Sequence, residues 1–316
     1  MWRGRFRGMW FPDLLLPGFE ARTLEFPPDY DGPVLATLVR LPVAHASRGA
    51  VLYVHGFIDY FFQQHVAQRF AAEGYAFYAL DLRKHGRSLR PHQHPCFCMH
   101  LGEYYDDLTA ALEEIGEPVL LAGHSTGGLL CSLYACEGRS RKRIEALWLN
   151  SPFFDWRGSS WIRTRLRTAS AIGRFLPFAN EPKAVPPQYV ESLHRKWNGE
   201  WEFDLALKPR EGFPAYFGWV RAIFAAHAKV HAGLALTCPV LAMHSDEADI
   251  VLDWRRIARW SRTLGPRVTV LQFPGALHDL ALSRREIRDE VFGHLFAWAG
   301  GAGSGKIFAP TLEEAS

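Results

Sequence analysis

Apolar residues gather along the chain in short, nearly unbroken runs: VLATLVRL (34–41), AVLYVHG (50–56), YAFYALDL (75–82), PVLLAGH (118–124), IEALWLN (144–150), PVLAMHS (239–245) and VTVLQF (268–273). Runs with so little polar alternation suit strands that are covered on both faces. Between them lie stretches of helical length at 63–74, 102–115, 126–137, 253–264 and 284–299. In the first of these, Val66 and Phe70 fall one turn apart, with Ala71 and Ala72 following. In the last, Ile287, Val291, Leu295 and Trp298 share one face. Strand alternating with helix predicts a mostly parallel sheet with right-handed crossovers.

The alternation breaks once. From 151 to 236 no strand-like run occurs, and the sequence turns to aromatics, prolines and arginines, as in FFDWRGSSWIRTRLR and FPAYFGWVRAIF. An insertion of roughly 85 residues is too long for an ordinary loop and reads as a helical cap over the strand ends, with a purely structural subdomain as the other reading. The expected organisation is an arm at 1–20, a core segment at 21–150, the cap at 151–236, a second core segment at 237–299 and a flexible tail at 300–316. In the tail, Gly300 and Gly305-Lys306 imitate the spacing of a phosphate loop. Ile307, however, stands where a magnesium-binding Ser or Thr belongs, and the stretch follows a helix rather than a strand.

Composition narrows the class. With 316 residues, 48% hydrophobic and 22% charged, the chain can bury a sizeable core and is not disordered. A formal charge of +3 asks for no nucleic-acid partner. Neither a signal-peptide core nor a run of about 18 uncharged apolar residues is present, so the chain reads as cytoplasmic. The opening MWRGRFRGMWF, with Trp2, Arg3, Arg5, Arg7, Trp10 and Phe11, is either a weak peripheral membrane contact or a frayed terminus. Five scattered cysteines, Cys96, Cys98, Cys131, Cys136 and Cys238, fit reduced thiols. Cys96 and Cys98 have no second pair, so no metal site is expected, and HQHPCFCMH (92–100) reads as a surface loop.

Against this background one pentapeptide carries chemistry. Gly123-His124-Ser125-Thr126-Gly127 fits G-x-S-x-G, with a strand before it and a helix after it. A nucleophile on a strained strand-to-helix turn needs such glycines to avoid clashes. A serine hydroxyl also needs a base, and the base needs an orienting acid. In this strand order both follow later in the chain. His278 stands just after the last strand, in PGALHDL, and Asp246, Asp249 and Asp253 all follow PVLAMHS. Asp249 is the preferred acid because it precedes Ile250-Val251, Asp246 is the alternative, and Asp253 caps the next helix. An oxyanion hole would use the N–H of Thr126, at the start of a helix, and the N–H of Phe57, after His55-Gly56. His55 and His124 are expected to hold their loops rather than react.

Together, YVHGFIDYFFQQHVAQRFAAEGYAFYALDLRKHGRSL, LLAGHSTGG, HSDEADIV and PGALHDL resemble the α/β-hydrolase superfamily over about residues 20 to 299. Within it they resemble the branch of monoacylglycerol lipases, lysophospholipases and serine aminopeptidases. Asp81 with Lys84-His85-Gly86-Arg87-Ser88 matches that branch's D-x-x-G-H-G-x-S element, although Arg83 and Lys84 stand where glycine is common. The resemblance implies an eight-stranded, mostly parallel sheet flanked by helices, with a helical cap inserted after the sixth strand, and no cofactor. It implies a serine hydrolase acting through Ser125, His278 and Asp249. An aromatic cap favours carboxylic esters of apolar acyl chains or lipids as substrates. The alternatives are an aminopeptidase or amidase on the same triad, with amine recognition through Asp155, Glu181, Glu191, Glu200, Glu202 or Asp204, and a non-catalytic binding protein.

Overall fold

The computed structural model describes residues 9–182 and 185–302. The residues of the arm from Trp2 to Arg7, and Gly305-Lys306 of the tail, lie outside the described residues. In chain order the strands are β1 (Phe11–Pro12), β2 (Glu20–Asp29), β3 (Gly32–Leu41), β4 (Ala50–Val54), β5 (Ala76–Asp81), β6 (Val119–His124), β7 (Ile144–Asn150), β8 (Asn180–Glu181), β9 (Ala215–Tyr216), β10 (Val240–His244) and β11 (Val268–Gln272). The helices are α1 (Gln64–Ala72), α2 (Tyr105–Ile115), α3 (Thr126–Glu137), α4 (Ser160–Ile172), α5 (Pro187–Leu193), α6 (Phe217–Ala232), α7 (Trp254–Ser261) and α8 (Arg285–Ala297).

The main sheet runs β1, β2, β3, β5, β4, β6, β7, β10, β11. Pairing is antiparallel through β1, β2, β3 and β5, and parallel from β5 to β11. It thus has nine strands rather than the expected eight. The extra member is the two-residue β1, paired with Glu20 and Ala21 on the edge, which also makes β7 the seventh strand before the insertion. The insertion is not wholly helical either. Between α4 and α6 it holds the short antiparallel pair β8 and β9.

Alternate residues of the parallel strands enter two cores. Val51, Phe77, Leu120, Trp148 and Met243 face α1 and α8, whose Phe70, Phe292 and Leu295 are fully buried. Leu52, Leu80, Leu121, Leu149 and Ala242 face α2 and α3. Burial on both sides is why these strands read as unbroken apolar runs. The order reverses between β4 and β6, because the chain leaves β4 for β5 on one side and returns to β6 on the other. Open parallel sheets form their crevice beyond the strand ends at such a point. Phe57 follows β4 there, and Ser125 follows β6.

Two local findings depart from the sequence reading. The 92–100 stretch is no surface loop: Gln93, Cys96, Phe97 and Cys98 are buried, and Phe97 packs edge-on against Tyr216 of the insertion. The thiols of Cys96 and Cys98 are pushed up by burial. Lys84, with φ of 63° in the left-handed region where glycine is usual, is fully buried. Its ammonium lies 2.9 Å from Asp29 and 2.8 Å from Asp31, tying the β2–β3 turn to the loop after β5. The ion pairs explain why a lysine occupies so strained a position.

Candidate active site

Ser125 sits on the turn between β6 and α3 with φ 52° and ψ −116°, a conformation that costs a non-glycine residue of order 1 kcal/mol or more. Close approach dictates its glycine neighbours. A Cβ on Gly127 would lie 2.4 Å from both Val54 O and His55 O, and one on Gly123 would lie 2.6 Å from Gly127 O. The start of α3 therefore seats directly on the end of β4. The Ser125 N–H donates to Asn150 O (3.0 Å), and Ser125 O accepts from Leu129 and Phe153.

The loop after β11 carries His278 to this point. Its Nε2 lies 3.0 Å from Ser125 Oγ and its Nδ1 lies 2.8 Å from Asp249 Oδ2. The other Asp249 oxygen accepts from the N–H groups of Val251 (2.7 Å) and Leu252 (2.9 Å). Burial opposes ionisation of Asp249, but the imidazole beside it and the two backbone donors outweigh that and hold its carboxyl below the usual range. Asp246 is not behind the imidazole; its Oδ1 accepts from Ala248 N in its own loop and from Gly275 N in the loop after β11. Asp253 caps α7 by accepting from Arg255 N. Of the three acids after β10, geometry thus brings Asp249 to His278.

The two other loop histidines are occupied. The His55 ring accepts from Leu82 N–H at Nε2 (3.1 Å), so its Nδ1–H donates to Gly56 O (2.7 Å). His124 has Nδ1 3.2 Å from Asn150 O, and burial, reinforced by the nearby His278, holds its pKa well down. Gly56 passes so near Ser125 that a Cβ there would lie 3.2 Å from Ser125 Cβ. Phe57, the next residue, stacks on Trp219 of α6 with ring centroids 3.9 Å apart. Thr126 opens α3. Among the described residues neither the Phe57 N–H nor the Thr126 N–H has a hydrogen-bond acceptor.

Three contributors have no local signature in the sequence. Asn150, at the end of β7, bridges the turn of Ser125 and the loop of His278: its backbone carbonyl receives Ser125 N–H, its Nδ2 donates to Asp279 Oδ1 (2.7 Å), and its Oδ1 accepts from Leu280 N (3.1 Å). Asp59, on the loop after β4, forms an ion pair with Lys208 of the insertion at 2.7 Å, both nearly inaccessible. Tyr189 of α5 packs edge-on against His278 with centroids 5.6 Å apart. Only the position of Asn150 at a predicted strand end could have marked it in advance.

Above Ser125 and His278 opens a cavity of about 430 Å³. Its walls come largely from the insertion and are mainly apolar, with Phe153, Trp156, Ile162, Leu166, Trp219 and Val220 among them. Arg157, also lining it, donates to Asp249 O at 2.5 Å and so steadies the acid's loop. Among the described residues no cluster of His, Cys, Asp and Glu has a metal-holding arrangement, and no helix is long and apolar enough to cross a membrane.

Comparison with known proteins agrees with this architecture. The family model described as serine aminopeptidase, S33, matches residues 45–285. A monoacylglycerol lipase of Mycolicibacterium smegmatis is 27% identical over 256 residues, which cover 74% of this chain and 82% of that protein. The fold is shared with a soluble variant of monoglyceride lipase from Saccharomyces cerevisiae, solved with a substrate analog, at a TM-score of 0.71 and 19% identity over 88% of this chain and 95% of that one. It is shared also with the monoacylglycerol lipase of Paleococcus ferrophilus, at a TM-score of 0.64 and 22% identity over 83% and 98%. Matched by the family model across most of its length and built on the same sheet, the chain belongs to the serine aminopeptidase (S33) family of α/β-hydrolases, in the branch that resembles monoacylglycerol lipases.

Proposed function

We propose that this protein hydrolyses carboxylic esters of apolar acyl chains, lipid monoesters in particular, through Ser125, His278 and Asp249. The observation that carries the reading is the continuous relay from Ser125 Oγ through His278 to Asp249, with spacings of 3.0 and 2.8 Å, at the head of an apolar cavity. Ser125 Oγ attacks the ester carbonyl while His278 Nε2 takes its proton, and the imidazolium so formed is stabilised by Asp249 at Nδ1. The oxygen that becomes negative is held by the N–H groups of Phe57 and Thr126, a contribution of about 3 to 4 kcal/mol per donor. His278 then protonates the leaving alcohol, and a water repeats the sequence on the acyl-enzyme. None of these steps needs a cofactor.

The ester reading is favoured over the amide one by the charges in the cavity. An aminopeptidase needs a carboxylate free to meet a substrate ammonium. The two acids that line the cavity are already paired: Asp59 with Lys208 at 2.7 Å and Glu181 with Arg165 at 2.9 Å. The other candidate acids, Asp155, Glu191, Glu200, Glu202 and Asp204, do not line the cavity, and of them Asp155 pairs with Arg256 and Glu191 with Arg210. The family's description as serine aminopeptidase keeps the amide reaction as the rival to test. A panel of p-nitrophenyl esters of graded acyl length, run beside amino-acid anilides, separates them. Esters should be turned over at least about a hundredfold faster than anilides, with the best acyl length set by the cavity. Faster turnover of anilides would remove the esterase reading.

Asn150 gives a second expectation. Asn150→Ala removes the tie between the loops of Ser125 and His278 and leaves the buried Asp279 carboxylate short of a donor. Turnover should fall by about a hundredfold at little change in KM, as displacement of a catalytic group by about 1 Å does, and stability by about 1 to 3 kcal/mol. Exchanging the partners, Asn150→Asp with Asp279→Asn, restores a donor and an acceptor and should recover most of the lost turnover. Steady-state kinetics and urea unfolding of the single and double variants check this.

A further inference from the structure

We infer that the insertion does more than wall the cavity: two of its residues, Trp219 and Lys208, are positioning residues that hold the loop after β4, residues 57–60, in a strained backbone conformation and so aim the Phe57 N–H. The inference rests on the proposed use of that N–H as an oxyanion donor, and it says where the donor's geometry comes from.

The loop lacks the support that strands and helices give a backbone. Among the described residues, Phe57, Ile58, Asp59 and Tyr60 make no backbone-to-backbone hydrogen bond. Ile58 stands at φ 52°, a left-handed conformation that is an outlier for a β-branched side chain and persists where the surroundings impose it. Relaxation there would swing the Phe57 side of the loop against the Asp59 side, and the Phe57 N–H with it. The core fixes the two ends of the segment: the His55 ring donates to Gly56 O (2.7 Å), and the Phe61 N–H donates to Asp81 Oδ1 (2.8 Å).

Between those ends the insertion grips the loop on either side of the strained residue. Before it, the Phe57 ring lies on Trp219 with 18° between the ring planes. After it, Asp59 Oδ1 meets the Lys208 ammonium at 2.7 Å, with each side chain 2% exposed. One residue further, the Tyr60 hydroxyl accepts the N–H of Asp204 at 2.8 Å. A stacked ring pair fixes orientation as well as distance. A buried ion pair resists separation, because either charge alone would be left without solvent or partner. Trp219 is itself held, buried in α6 and edge-on to Trp156 with centroids 6.0 Å apart. The cavity wall and the oxyanion donor are therefore one mechanical unit, and seating the insertion on the core completes the hole.

The test compares the full-length wild type with Trp219→Leu, Trp219→Phe and Lys208→Gln, each checked for folding by circular dichroism. On p-nitrophenyl acetate, whose acetyl group is too short to fill the cavity, Trp219→Leu should lower kcat by about a hundredfold and move KM by less than about threefold. Trp219→Phe, which keeps a flat ring for Phe57 to lie on, should lose no more than about fivefold. Lys208→Gln should lower kcat by at least about tenfold and decides the matter if Trp219→Leu does not fold. An alkyl trifluoromethyl ketone then separates the hole from general packing: Ser125 Oγ adds to its carbonyl carbon, the hydroxyl proton passes to His278, and the carbonyl oxygen becomes an alkoxide that the hole must hold. Its inhibition constant should rise in step with the loss of kcat/KM, whereas that of the corresponding trifluoromethyl carbinol, which forms no alkoxide, should stay within about threefold. Equal inhibition of wild type and variants by the ketone, losses confined to KM, or equal losses from Trp219→Phe and Trp219→Leu overturn the inference and leave the triad reading intact. A wild type that the ketone does not inhibit removes the Ser125 reading, and the inference with it.

Discussion

Ser125→Ala should leave a folded protein whose ester turnover falls by about six orders of magnitude, the loss expected when the nucleophile of a Ser-His-Asp unit is removed. The expectation rests on geometry: Ser125 Oγ lies 3.0 Å from His278 Nε2, on a turn whose glycines bring the end of β4 within contact. A fluorophosphonate probe should label the wild type on Ser125 and leave the variant unlabelled, as mass spectrometry of the intact chain reports. Residual turnover within a hundredfold of wild type would show that the reaction runs elsewhere, and a folded wild type that never labels would favour a binding protein. The strain at Ser125 adds a control. Alanine keeps a Cβ at φ 52°, whereas glycine adopts that conformation freely. Ser125→Gly should therefore be as inactive as Ser125→Ala yet more stable by about 1 kcal/mol in urea unfolding. That difference measures what the fold spends to hold the hydroxyl in place.

How much of this was legible depends on where each feature's physical cause lies. The parallel strands were readable because burial on both faces erases polar alternation, and β7 and α3 begin and end where the sequence places them, at 144–150 and 126–137. β2 was not read as a strand. It is antiparallel near the sheet edge, with Leu24 and Phe26 inward and Thr23 and Glu25 oriented otherwise, and just before its last residue, Asp29, it contains Pro27-Pro28, which look like a turn. The turn at Ser125 is local, so a pentapeptide and its flanks describe it. Choosing among Asp246, Asp249 and Asp253 was not local, because three acids within eight positions differ only in how the loop folds over His278. Polar composition made the 92–100 stretch look exposed, yet Phe178 and Tyr216, from far along the chain, cover Phe97. Asp59 and Lys208 are the extreme case: two buried charges find each other across 149 positions (208 less 59), and neither segment alone hints at the pairing.

Asp249→Asn should lower turnover by about ten-thousandfold, the scale seen when an orienting carboxylate becomes an amide and the imidazole loses its preferred tautomer. In the native site Asp249 Oδ2 accepts from His278 Nδ1–H, which leaves Nε2 unprotonated and turned to Ser125. An amide that turns its NH₂ toward Nδ1 would reverse this, placing the imidazole proton on Nε2, where no base is left to receive the serine proton. Asp246→Asn should stay within about tenfold of wild type, since Asp246 accepts from Ser245, Ala248 and Gly275 and does not touch His278. Equal losses from both variants would reassign the acid. Stability gives the same answer through pH. The Asp249 carboxyl is held below its usual value, so its ionised form stabilises the fold above the unfolded carboxyl pKa of about 3.9, and that contribution disappears as pH falls through the lower folded value. The difference in unfolding free energy between wild type and Asp249→Asn should hence be full at pH 6 to 7 and shrink below about pH 4. A gap that stayed constant down to acid pH would mean that the aspartate stabilises the loop through shape alone, without the charge that the imidazole requires.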